Sequence, residues 1–308
     1  MAPQSHKCSL VATTNTRKKH MIITDETITK YVKGITNINT RKTYRLSLSK
    51  FSNYLQDNNI HDINQKNLSQ VIHDYKAYLN NKNLKAITIN QHLIILKTFI
   101  NEYTKLSYDK DLKLIKTEKR KPNYLTTKQI QTALNYTEDK TDELIIKLLT
   151  STGLRIHEAL NITKKELENT DETGNAIITI IGKNTKRRLI VIPSKLTRQL
   201  RRYSKDHKKY IFESNRKESE PLSSRSIQRR FKRLAAKIDK EENTKIYSEN
   251  LKPHNLRHSF AIQALKTNEI NYVKEFLGHE NIATTQIYTN LKEKDVVERF
   301  KKLENNLV

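Results

Sequence analysis

His254 and Arg257 stand three residues apart in the stretch Lys252-Pro253-His254-Asn255-Leu256-Arg257-His258-Ser259-Phe260-Ala261. Pro253 suits the first turn of a helix, where its missing N–H is not needed. Residues at i and i+3 share a helix face. The spacing therefore pairs a group able to move a proton with a permanently charged fork that matches phosphate oxygens. Three other stretches add to this chemistry. In Thr152-Gly153-Leu154-Arg155-Ile156-His157-Glu158-Ala159-Leu160 a glycine turn leads into a helix, with Arg155 near its start and Glu158 one turn on. A helix start favours anions, Arg155 adds a bidentate fork, and Glu158 at i+3 could hold that fork in place. The run Ile181-Gly182-Lys183-Asn184-Thr185-Lys186-Arg187-Arg188 reads as a basic hairpin turn that could push one lysine into a groove or active site. The residues alone do not choose among Lys183, Lys186, Arg187 and Arg188. Finally, Leu277-Gly278-His279-Glu280 ends a helix at glycine and leaves His279 on a loop. Tyr288 follows nine positions later, a spacing that lets a loop and a short helix return it toward His279.

Taken singly, each stretch has an ordinary structural reading. An Arg–Glu pair on a helix is usually a solvated surface pair, a run of lysines and arginines is usually a solvated turn, and one of 14 tyrosines is usually packing. Metal chemistry fits poorly. His254 and His258 lie at i, i+4 without the Glu of an HExxH motif, and Cys8 is the single cysteine. A GxxxxGK[ST] phosphate loop is absent from the sequence, which argues against nucleotide hydrolysis. Two arginines, two histidines, a lysine and a late tyrosine together make a metal-free set for phosphoryl transfer.

Composition points the same way. The 308 residues carry 58 Lys plus Arg against 33 Asp plus Glu, a net charge of +25. That excess favours a polyanionic partner, nucleic acid first and anionic membrane second. The sequence has no apolar run long enough to span a bilayer, and Met1 to His20 lacks the apolar stretch of a secretory signal. The expectation is a soluble, cytoplasmic protein that needs no metal or other cofactor and binds DNA or RNA.

The elements that must position these residues fall into two groups. Residues 1–23 are polar, basic and without period, and read as a flexible basic tail. From residue 24 to 115 four helical patterns follow one another. Ile28, Tyr31 and Val32 mark the first. Thr40 is the expected N-cap of the second, with Tyr44, Leu48, Phe51 and Leu55 on one face. Asn67 or Ser69 opens the third, and Thr88 the fourth. The charged segment 116–123, broken by Pro122, reads as a basic linker. Residues 124–308 form the second domain. There the spacing predicts helices over Lys128 to Tyr136 (N-cap Thr126 or Thr127), Asp142 to Thr150, Leu196 to Asp206, Ser224 to Lys240 and His254 to Asn268. Alternation at Ala176, Ile178 and Ile180, and again over Leu189 to Ile192, predicts a β-hairpin that Pro193 ends. A last apolar stripe runs through Val296, Val297, Phe300 and Leu303. The fold class is mainly α, an all-helical amino-terminal domain followed by a mixed, mostly α domain with one small antiparallel sheet.

With these pieces in order, the sequence resembles the tyrosine recombinase (phage integrase) family, in its Xer-like or mobile-element subgroup. TGLRIHEAL, IIGKNTKRRLIVIP, HNLRHSFA and LGHENIATTQIYTN occur in the family's order and at family-like separations, over about Tyr124 to Asn290. The amino-terminal helices, including Asn39-Thr40-Arg41-Lys42-Thr43-Tyr44, look like the family's core-binding, DNA-contacting domain.

The resemblance implies that Tyr288 is a nucleophile attacking a DNA phosphodiester to leave a 3′-phosphotyrosyl link and a free 5′-hydroxyl. It makes Arg155 and Arg257 phosphate clamps, Lys183 the acid for the departing 5′-oxygen, His254 the acceptor of the tyrosine proton and His279 a hydrogen-bond partner of the phosphate. Glu158 matches the acidic residue that orients the clamp, and His258 a structural neighbour. Two departures stand out. His157 replaces a small residue before the acidic position, and Asn184, which tolerates positive φ, stands where the family often has a second glycine. The resemblance further implies double-stranded DNA with specific recombination sites, a homo-tetramer working through a Holliday junction, and nucleoid association. It also allows accessory DNA-bending proteins and a carboxy-terminal helix that docks on a neighbouring protomer. A type IB topoisomerase-like nicking and closing enzyme shares the chemistry, and a non-catalytic architectural DNA-binding protein shares the charge.

Overall fold

In the computed structural model the residues described are 23–104, 106–108, 113–117, 123–181, 187–214 and 219–267. They divide between two compact units, Met1–Arg120 and Lys121–Val308. Among the described residues there are eleven α-helices and one two-stranded antiparallel sheet, the mainly-α class expected.

The first unit contains α1 (Asp25–Lys33), α2 (Ile38–Asp57), α3 (Leu68–Asn81) and α4 (Ala86–Tyr103). Two starts differ from expectation. Asn37, not Thr40, caps α2, because its side-chain oxygen accepts from the N–H groups of both Asn39 and Thr40 at 3.0 Å. Thr40 is left at the third helical position. Likewise α4 begins at Ala86, ahead of Thr88, with Lys85 at its N-cap and no side-chain cap bond there. The core of this unit is aromatic. Phe51 and Tyr75 meet edge-on with ring centroids 4.7 Å apart, and Tyr31 meets Phe99 at 4.9 Å.

The second unit is built around α6 (Lys140–Thr152). Leu144, Ile145, Ile146, Leu148 and Leu149 are all buried, so this helix is apolar nearly all round because it is covered nearly all round. Its covering elements are α7 (Ile156–Leu160), α8 (Ser194–Tyr203), α9 (Ser224–Glu241), α11 (Pro253–Thr267) and strand β2 (Arg187–Ile192). α5 (Thr127–Asn135) opens with a capping box in which Thr126 and Gln129 exchange hydrogen bonds. The short helix α10 (Ile246–Asn250) has no sequence signal strong enough to predict it.

β1 (Ala176–Ile181) pairs with β2 from Ala176↔Ile192 to Ile181↔Arg187. Ala176, Ile178 and Ile180 of β1 and Ile190 and Ile192 of β2 enter the core. Since side chains alternate along a strand, Arg188 belongs to the same inward row as Ile190 and Ile192, while Arg187 points out and is exposed.

Candidate phosphate-binding site

α6 ends at Gly153, whose φ of +62° is the left-handed conformation that stops a helix at little steric cost. The chain then turns through buried Leu154, and Arg155 sits in extended conformation as the N-cap of α7. Glu158 at the third position of α7 reaches back, and its Oε2 accepts from the Arg155 backbone N–H at 2.7 Å. The same side chain makes an ion pair with Arg155, Nη1 to Oε1 at 3.2 Å. The residues expected to form a clamp and its holder are therefore joined twice.

Arg257 arrives from α11. Its Nη1 donates a 2.6 Å hydrogen bond to the Gly153 carbonyl and lies 4.0 Å from Glu158 Oε2. A cation at the carboxy-terminal end of α6 also complements that helix's dipole. The Arg257 side chain is only 4% exposed, against 39% for Arg155. Burial, with the charges of Arg155 and Arg188 beside it, brings the Arg257 guanidinium down to about 10, and Glu158 opposes that shift.

The residue that sequence reasoning left unchosen is Arg188. From the inward row of β2 its Nη2 reaches Glu158 Oε2 at 2.6 Å, and its side chain is 8% exposed. Three guanidinium groups thus surround one carboxylate. Burial opposes the ionisation of Glu158, but bonds from Arg188 and the Arg155 N–H outweigh it and hold the carboxyl below its ordinary range. The period-two row Arg188, Ile190, Ile192 is legible in the sequence; the carboxylate that it faces is not.

His254 and His258 sit one turn apart on α11, with Nε2 atoms 3.0 Å apart and rings crossing at 75°. Such a contact needs a proton on one Nε2 and a lone pair on the other. Burial, then the nearby His254 and Arg257, lower the His258 pKa, which favours a neutral ring there. His254 is exposed while Arg257 turns inward, so α11 offers a proton-transfer group to its surface and a charge to its base. Ser259, one turn beyond Asn255, accepts from the Leu125 N–H at 2.9 Å and ties α11 to the start of this unit. Of the expected site residues, Arg155, Glu158, His254 and Arg257 are described. Lys183, Lys186, His279, Tyr288 and the stripe from Val296 to Leu303 lie outside the described residues.

Among the described residues no three His, Cys, Asp or Glu side chains converge as a metal site would require, and no helix is long and apolar enough to cross a membrane. The arrangement can hold an oxyanion against fixed guanidinium groups, with an exposed imidazole on the helix that carries Arg257.

Residues 123–295 match the model of the phage integrase family, and residues 29–103 match that of the phage integrase N-terminal SAM-like domain. The chain belongs to the phage integrase family, the tyrosine site-specific recombinases. Among its relatives is the tyrosine recombinase XerA of Pyrococcus horikoshii, 30% identical over 233 residues, which span 74% of this chain and 78% of the relative. The tyrosine recombinase XerD of Rickettsia prowazekii is 29% identical over 274 residues, 82% of this chain and 87% of the relative. In fold the chain is similar to the XerH site-specific recombinase bound to difH substrate, with a TM-score of 0.62 at 22% identity over 90% of this chain and 84% of that one. It is also similar to the Tn1549 transposon integrase in complex with transposon right end DNA, with a TM-score of 0.63 at 20% identity over 91% and 99%.

Proposed function

We propose that this recombinase cuts and rejoins double-stranded DNA at specific sites through a 3′-phosphotyrosyl intermediate. The observation that carries the reading is the Arg155–Glu158–Arg257 constellation at the end of α6, in a chain of this family. Arg155 and Arg257 neutralise the non-bridging oxygens of one phosphodiester as their charge redistributes. Tyr288 Oη attacks phosphorus as its proton passes to His254, the bond from phosphorus to the 5′-oxygen breaks, and Lys183 protonates that oxygen. His279 hydrogen-bonds the phosphate. The phosphotyrosyl ester keeps the energy of the broken bond, so rejoining needs no nucleotide.

DNA affinity comes mainly from phosphate neutralisation by the +25 chain. In the amino-terminal unit, Asn39, Thr40, Thr43 and Gln91 line an open cleft between α2 and α4, and such side chains suit base edges. We assign this unit, residues 24–115, the core-binding role, residues 116–123 the linker and residues 124–308 the catalytic role. Exchange between two sites calls for four protomers and a Holliday junction, with the stripe Val296, Val297, Phe300 and Leu303 docking on a neighbour. DNA-bending proteins assist where the site demands it, and the enzyme works at the nucleoid. Relatives across both units favour recombination over a nicking–closing enzyme or an architectural protein.

The test uses a nicked duplex of candidate att or resolution sequence taken from DNA flanking the gene. A denaturing gel is scored for protein joined to the 3′ end of the cut strand. Wild type is expected to give the adduct and Tyr288→Phe none. Adduct in both would reassign the nucleophile; binding without adduct in either would favour the architectural reading.

A further inference from the structure

Glu158 has more cationic neighbours than it can neutralise, and how it divides its oxygens among them is uneven. Oε2 takes the two short contacts, from Arg188 Nη2 at 2.6 Å and from the Arg155 backbone N–H at 2.7 Å. The Arg155 guanidinium receives only the longer contact from Nη1 to Oε1, at 3.2 Å. Yet Arg155 and Glu158 lie at i, i+3, and an arginine and a carboxylate within reach favour a two-bond fork in which both oxygens are used. Oε2 is instead engaged by Arg188 from β2 and by the Arg155 backbone N–H.

We infer that Arg188 is a positioning residue for DNA cleavage: by engaging Oε2 of Glu158 it keeps that carboxylate from closing a fork with Arg155, whose guanidinium is thereby left to a phosphodiester. The inference rests on the reading of Arg155 as a phosphate clamp. Burial supports it. Arg188 is 8% exposed and Glu158 6%, and they are paired at 2.6 Å, whereas Arg155 at 39% is the most exposed guanidinium of the three. Charge supports it too. Three arginines gather on one carboxylate in a mostly buried cluster, a positive field suited to one phosphodiester. Remove the Arg188 charge and Glu158 turns its full charge on Arg155, so the cluster satisfies itself and the substrate loses a clamp. The inward row of β2 fixes the donor, since Ile190 and Ile192 anchor the strand in the core and leave the Arg188 side chain one direction to go.

The experiment uses the full-length chain and the nicked duplex, with adduct formation followed at saturating DNA and duplex affinity measured by gel shift. Arg188→Met is expected to slow adduct formation by about tenfold or more while changing duplex affinity by no more than about threefold. The double substitution Arg188→Met with Glu158→Gln is expected to recover most of that rate, because no carboxylate remains to chelate Arg155. Arg188→Lys, which keeps a point charge on Oε2, is expected to stay close to wild type. Arg188→Gln, whose shorter side chain stays polar but carries no charge and falls short of Oε2, tests the same point if the methionine variant fails to fold. Full activity of Arg188→Met or Arg188→Gln, or a double variant no faster than the single one, would overturn the role of Arg188 alone. A wild-type protein that binds duplex without forming adduct would overturn the clamp reading beneath it.

Discussion

Arg257 Nη1 donates a 2.6 Å hydrogen bond to the carbonyl of Gly153, a residue 104 positions earlier in the chain. This bond joins α11 to the end of α6 and sets the depth at which the second arginine of the site lies. It depends on a left-handed glycine, because that conformation ends α6 and turns its last carbonyl toward Arg257.

Gly153→Ala should therefore cost about 1–2 kcal/mol of stability, the penalty of a Cβ in left-handed conformation. Urea denaturation measures the loss. Adduct formation should fall further than stability predicts, since Arg257 moves with the carbonyl. A variant as stable as wild type would mean that the turn relaxes freely.

Ser259 is buried, accepts from Leu125 N–H and donates to the Asn255 carbonyl at 3.0 Å. Ser259→Ala leaves the buried Leu125 N–H without its acceptor, at an expected cost of about 1–3 kcal/mol. Faster amide exchange at Leu125 would accompany the loss. Unchanged exchange there would show that the bond is dispensable.

In the amino-terminal unit, Tyr75 is fully buried and its Oη has no hydrogen-bond partner among the described residues. Burial accordingly pushes its pKa up. Tyr75→Phe removes a polar atom that gains nothing, so the variant should equal or exceed wild type by up to about 1 kcal/mol. The denaturation midpoint of this unit is the readout, and a marked drop would reveal a partner for the hydroxyl.

The carboxyl of Glu158 has a folded pKa below its ordinary 4.5. Its contribution to stability is thus complete above about pH 4.5 and is lost as pH falls through the lower folded value. Urea midpoints taken between about pH 3 and pH 7 should show wild type converging on Glu158→Gln as acid is added. A gap between the two that stays constant across the range would contradict the ion pairs described.

By itself the sequence determined the helices whose apolar residues repeat and the paired strands, and its short spacings singled out Arg155, Glu158, His254 and Arg257 as candidates, because periodicity and short spacings are local properties. It misplaced the starts of α2 and α4, since Asn37 and Lys85 lie outside the apolar repeat that marked those helices. Only the tertiary structure decided between Arg187 and Arg188, two neighbours of identical chemistry. The core seats Ile190 and Ile192, and the two-residue period of the strand then carries Arg188, and not Arg187, to the buried carboxylate. The same holds for Gly153 and Arg257, and for Leu125 and Ser259. Their hydrogen bonds span more than a hundred residues, and no local pattern encodes a partner that only packing brings near.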